Sequence, residues 1–199
     1  MSFPQITSKM VPFITELADV PEDLDVHYED GCSYVRVPLA ESEDGQWLVV
    51  VDVGYRTNYS QSPCSRVRPL DFVMFGYEIT LFDQTNSVAY QTMDPHDTRE
   101  AIPKEMRPLV IDIACNCYRR LLGECNPDYI FRSTWMMQPS DAALKKHLEA
   151  TKTLTQSGYT VVREGTDQDG CKFWLLGRDG LDHSSLDQPE IVGIEGGKP

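Results

Sequence analysis

The chain has 199 residues, 41% of them hydrophobic, with three Trp, nine Tyr and seven Phe, and a formal net charge of −13. That length and apolar content exclude a wholly disordered chain and allow one substantial core. The charge opposes direct binding to phosphate backbones, and no apolar run approaches the roughly 18–20 residues of a membrane-spanning helix.

The acidity is uneven. Residues 1–62 carry a net −8 and residues 179–199 a net −4, whereas residues 63–178 are nearly neutral at −1. Acidic ends of this kind attract a basic protein partner, and they also serve solubility. The N-terminus, MSFPQITSKMVPFITELADV, lacks the basic, apolar and small-residue order of a signal peptide. Six cysteines at irregular spacing (Cys32, Cys64, Cys115, Cys117, Cys125 and Cys171) fit a reducing compartment. The expected location is the cytoplasm, with no membrane contact.

In chain order, residues 1–20 show weak helical spacing at Met10, Phe13, Ile14 and Leu17, ended by PEDLD at 21–25. SYVRVPL (33–39) and QWLVVVDVGY (46–55) read as strands joined by AESEDG, a hairpin with a DG turn signal. The unbroken WLVVV predicts a strand covered on both faces. RTNYSQSPCSRVRP (56–69) has the composition of a long loop. DFVMFGYEITLFD (71–83), with Gly76 as a candidate bulge, and SVAYQTM (87–93) form a second hairpin about QTNS. DPHDTREAIP (94–103) is a connecting segment.

A helix is predicted between about 104 and 122, where Met106, Leu109, Val110, Ile113, Ala114, Cys117, Tyr118 and Leu121 make one apolar stripe. Gly123 is placed to end it, and Pro108 either starts its regular part or bends it. DYIFRSTW (128–135) is a strand. A second helix runs from about 140 to 157, with Ser140 as N-cap, Gly158 as stop and a thinner stripe of Leu144, Leu148, Thr151 and Leu154. YTVVRE (159–164) and CKFWLLGR (171–178) form a last hairpin around GTDQDG. Tyr159, Phe173 and Trp174 are expected to pack under the helices.

The expected fold is therefore α+β: a mainly antiparallel sheet, two amphipathic helices packed on one face, and a flexible acidic C-terminal tail. Three parts are expected: an acidic segment at 1–30, a single α+β domain at 31–178 and the tail at 179–199. A sheet with two such helices and a polar tail is common among small bacterial and phage proteins.

The stretch DIACNCYRRLLGEC (112–125) packs three cysteines into eleven residues. On a helix each residue turns about 100°, so Cys115 and Cys117 diverge by about 200° and cannot hold one ion. Cys117 falls in the apolar stripe, and Cys115 falls on the polar side with Asp112 and Arg119. Neither paired zinc knuckles nor a GxSxG, Walker, GxGxxG or HExxH motif is present. GTDQDG has acids but lacks the spacing and terminal Glu of a calcium loop. No metal and no cofactor are expected.

Two constellations carry candidate chemistry. DPHD places Asp94, His96 and Asp97 together, a set suited to metal binding or proton transfer, though Asp-Pro also starts turns and Asp97 can cap the next segment. His147, beside Lys145 and Lys146, could meet Arg132 and receive an anion. The favoured function is a non-catalytic cytoplasmic protein-binding module, in its sharpest form an acidic inhibitor of a basic nucleic-acid-binding protein. The alternative is a small hydrolase or transferase assembled from Asp94 or Asp97, His96, Arg132 and His147.

Overall fold

The computed structural model describes residues 4–29, 32–56, 72–92, 95–134, 138–167 and 169–183. The hairpin expected around AESEDG is its centre. Strands β3 (Cys32–Ser42) and β4 (Trp47–Arg56) pair antiparallel around Gly45, whose φ of +70° suits a residue without a side chain. Val35, Val37 and Leu39 of β3 join Val49, Val51 and Val53 of β4 in the main core. Val50 points the other way and is also fully buried, so the WLVVV run is covered on both faces.

Residues Phe72–Asp83 form β5 against β4, and Val88–Thr92 return as β6 after a turn held by the Asp83 carboxylate. The register runs unbroken through Gly54 and Gly76, so Gly76 is not the bulge expected there. One irregularity falls instead at Pro38/Ala40, where proline has no N–H to give the ladder, and another at Val161/Arg163. Strand β7 (Tyr129–Ser133) joins β5 in parallel over residues 72–74 only. The hairpin of β8 (Tyr159–Thr166) and β9 (Lys172–Arg178) then completes the sheet through β9.

The N-terminal residues do not form the helix that their spacing suggests. Met10–Pro12 is strand β1 on residues 40–42 of β3, and Val26–Glu29 is strand β2 on residues 32–35. Only Leu17–Asp19 makes a 3-10 turn, with Asp19 accepting from the Thr15 and Glu16 amides at 2.8 and 3.0 Å. The free edge of β3 offers ladder bonds that a short, proline-containing helix cannot match. The sheet order is β1-β3-β4-β5-β7-β9-β8, with β2 also on β3 and β6 also on β5. Apart from the β5–β7 joint it is antiparallel.

Residues Pro95–Ala101, expected as a connection, form helix α1, and Ala101 and Ile102 enter the core. Helix α2 spans Leu109–Cys125 with Pro108 at its N-cap, so its regular part begins after the proline. Gly123 does not end it. The helix continues to Cys125, and Asn126 takes the left-handed conformation with its N–H on the Leu122 carbonyl. Asparagine tolerates that region better than other residues with side chains. Helix α3 (Asp141–Gln156) begins as expected at Ser140, which accepts from the Ala143 amide at 3.3 Å, and the chain leaves through Gly158 at φ +91°.

Helix α2 lies over β3 and β4, and α3 lies beside α2 and against β8. Val110, Ile113, Ala114, Cys117, Tyr118 and Leu121 are buried in the main core. Cys115 is buried too, contrary to its expected polar placement, because α3 covers that side of α2. Leu148, assigned to the α3 stripe, is 54% exposed. Six residues separate it from buried Leu154, about 240° of turn, so it leaves the face that Ala150, Thr151, Thr153 and Leu154 present. Phe173 also departs from expectation. It packs with Phe131 and Leu175 in a separate cluster, while its neighbours Trp174 and Leu176 take the helix side, as strand alternation requires.

Because Ile113 is fully buried, Ile113→Ala will lower stability by about 2–5 kcal/mol through lost contacts and the cavity left behind. Urea unfolding should show a lower midpoint with an unchanged slope. An unchanged midpoint would contradict this packing.

Candidate functional site

Strand β7 alternates Ile130 and Arg132 toward the helices. Arg132 therefore sits where a core residue belongs, and it is only 3% exposed. Its Nη1 donates to the His147 carbonyl at 3.0 Å and to Thr151 Oγ1 at 3.4 Å, both on α3. Its guanidinium stands over the Tyr118 ring, 5.5 Å from the centroid. Directly across β9 is Trp174, on which the His147 imidazole stacks at 5.8 Å and 15°. Three elements thus converge on one cation: α2 through Tyr118, α3 through His147 and Thr151, and β9 through Trp174.

The cluster is poorly satisfied. Tyr118 Oη, Arg132 Nε and His147 Nδ1 are all buried without a hydrogen-bond partner. A buried polar group left in that state costs about 1–3 kcal/mol, against a net stability of about 5–15 kcal/mol for a whole domain. Three of them around one guanidinium are therefore expensive. No described carboxylate pairs with Arg132.

The electrostatics follow from burial. Loss of solvent, then the nearby Arg132 and Lys146 charges, push the His147 pKa down to about 4, so its ring is neutral at pH 7. Burial raises the Tyr118 and Tyr77 hydroxyls, and Arg132 partly opposes this in both. The thiols are driven the same way: burial raises Cys115 and takes Cys117 to about 12, which keeps both protonated and poorly nucleophilic. The arrangement can hold an anion and donate hydrogen bonds to it. It lacks a base tuned to neutral pH.

Among the predicted site residues, the structure brings Arg132 and His147 together, though through the His147 backbone carbonyl and not its ring. Asp94 lies outside the described residues, as do the side chains of His96 and Asp97, which stand on α1. The chain after α1 borders residues 6–10 beside β1, whereas α3 packs on α2 and β8 near the opposite edge of the sheet. No group of three or more metal-ligating side chains occurs among the described residues. The RVR motif at 66–68 and Trp135 also lie outside them. Sequence reasoning missed Tyr118, Thr151 and Trp174 as partners of Arg132. The signal available was an arginine in strand phase with Ile130.

A second feature lies on the surface. Residues 13–24 leave the β1 edge and cross α2 as a strap: Ile14 is buried, Val20 and Leu24 pack on the core, and Arg120 Nη1 donates to the Glu22 carbonyl at 2.6 Å. Val11 of β1 and Phe13 and Leu17 of the strap are exposed at 43%, 49% and 39%. Leu17 also borders a cleft of about 220 Å³ between α2 and α3, lined by Asp112, Arg119, Glu149 and Lys152. Comparison with protein-family models, curated proteins and solved structures gives no match to this chain.

Lowering the pH from about 6.5 to 4 will destabilise the fold through His147. The unfolded chain takes up a proton near the ordinary 6.5, while the folded imidazole resists until about 4. Stability from the neutral ring is thus complete above 6.5 and lost on descent through that window. Urea midpoints at stepped pH should fall in the native chain, and His147→Gln should flatten the fall. Equal slopes in both proteins would refute the assignment.

Proposed function

We propose that this chain is a non-catalytic protein-binding module, and that the N-terminal strap is its docking surface. The observation that carries the reading is the juxtaposition of exposed Val11, Phe13 and Leu17 with the exposed acids Glu16, Asp19, Glu22, Asp23 and Asp25. Apolar side chains in the open cost stability and return it when a partner covers them. Of the bases nearby, Lys9 is matched by Glu43 at 3.3 Å and Arg120 is held on the Glu22 carbonyl, while Arg119 and Lys152 lie in the cleft beside Leu17.

This combination selects the partner's chemistry. An apolar centre on a strap whose own charges are all acidic fits a protein segment that carries hydrophobic anchors among Lys and Arg. A nucleic-acid-binding surface is a source of such a segment, so inhibition by occupying that surface is the specific form proposed. Most of the acids lie on the same short strap as the apolar groups, so steering and anchoring act at one place.

The test uses the full chain immobilised at low salt against an extract of its own source cell. The expected result is capture of a basic protein whose binding weakens steeply toward physiological salt, because exposed charges are screened over about 8–10 Å. Phe13→Ser with Leu17→Ser should abolish that capture and leave the thermal melt unchanged. Affinity independent of salt, or full binding by the double variant, would overturn the proposal.

A further inference from the structure

Beside the β1 edge of the sheet, the turns that join α1 to α2 lie against residues 6–10, and the two segments enclose a cleft of about 300 Å³. Its frame is held from within. Ile102 and Met106 are buried in the main core, and the Met106 and Leu109 amides donate to the Pro103 and Met106 carbonyls at 3.0 and 2.9 Å. Arg107 closes the frame: its Nε donates to the Ile102 carbonyl at 3.1 Å, and its Nη2 donates to the Arg99 carbonyl. Those carbonyls stand at the C-terminal end of α1, where helical geometry supplies no donor. The fold therefore fixes this guanidinium in place.

Carbonyls hold the Arg107 charge without neutralising it. Among the described residues, no carboxylate lies within ion-pair distance of Arg99, Lys104 or Arg107, all three of which line the cleft. Lys9, on the same cleft, is matched by Glu43 at 3.3 Å. The cleft's own acids are Glu100 and Glu105, so three bases face two acids and one positive charge is left over. In a chain of net charge −13, that is a local reversal of sign. The opposing field of the rest is screened over about 8–10 Å, so groups in contact decide what binds.

Much of the remaining lining is apolar. Ile6, Met10 and Pro103 are half-buried and border the cleft, and Ile6 and Met10 rest on the main core beneath. This pairing of one spare charge with an apolar floor restricts the ligand. A cation is repelled by the bases, a neutral apolar molecule leaves them unmatched, and a dianion overshoots the single charge. An alkyl chain gains by covering the apolar side chains, and a carboxylate gains by meeting a guanidinium that is already ordered. We propose that this cleft binds a monocarboxylate carried on a short hydrocarbon chain, with the carboxylate on Arg107 and Lys104 and the chain on Ile6, Met10 and Pro103. The site does not depend on the docking strap.

The probes are sodium acetate, butanoate and hexanoate, with hexan-1-ol, hexylammonium chloride and sodium phosphate as controls. Each is titrated into the full chain by calorimetry at constant ionic strength. The expected result is saturable binding of hexanoate, with affinity rising about three- to fourfold for each methylene that enters the cleft. The three controls should bind more weakly or not at all. Lys104→Glu reverses an exposed charge and should weaken hexanoate binding about threefold or more. Arg107→Met should weaken it as well. Because Arg107 also holds the end of α1, Lys104→Glu keeps the test decisive if the Arg107 variant does not fold. Hexanoate bound no more tightly than acetate, any control bound as tightly as hexanoate, or undiminished binding by either folded variant would overturn the proposal.

Discussion

Strand β5 is twelve residues long and gives one edge to two different strands, a parallel β7 at its start and an antiparallel β6 at its end. The sheet must divide there, since two strands cannot occupy one length of ladder. Everything beyond β7 hangs on a joint of three residue pairs, reinforced from above by the contact of α3 with α2. Tyr118 links the two halves, edge-on to Phe75 of β5 and under Arg132 of β7. The buried cation therefore stands at the seam and not in the interior of either half.

This placement explains why the cluster differs from the rest of the core. Elsewhere among the described residues the interior follows the ordinary rule that buried polar groups are paired, with Arg120 Nε as the exception. Asp52 takes Arg36 and Thr80, and Tyr159 Oη donates to the Pro127 carbonyl at 2.7 Å. At the seam the rule lapses three times around one guanidinium. A local rule broken once is ordinary strain; here three breaks are concentrated around one guanidinium.

The surface strap obeys a different economy. Its backbone is fixed by Ile14 in the core, by Asp19 across the Thr15 and Glu16 amides, and by Arg120 on Glu22. A segment so tethered presents Phe13 and Leu17 without first having to be ordered, which lowers the entropic cost of the proposed docking. In the proposed docking, charge acts on encounter and apolar area on residence.

Local sequence determined the hairpins, the two long helices and the face that α2 buries, because turn residues, strand alternation and a spacing of three and four act over a few residues. Ser140 and Gly158 mark the ends of α3 for the same reason. Where neighbours compete, those signals failed. Residues 10–12 chose the free edge of β3 over a helix, Asn126 replaced Gly123 as the stop, and α3 buried Cys115 on the side that periodicity had assigned to water. The pairing of Arg132 with His147 was legible only as a possibility. The contact through a backbone carbonyl and the Tyr118 ring beneath were decided by tertiary structure alone. They depend on which strands share β5, a choice made between segments about 40 residues apart in sequence, and short-range pattern carries no record of it.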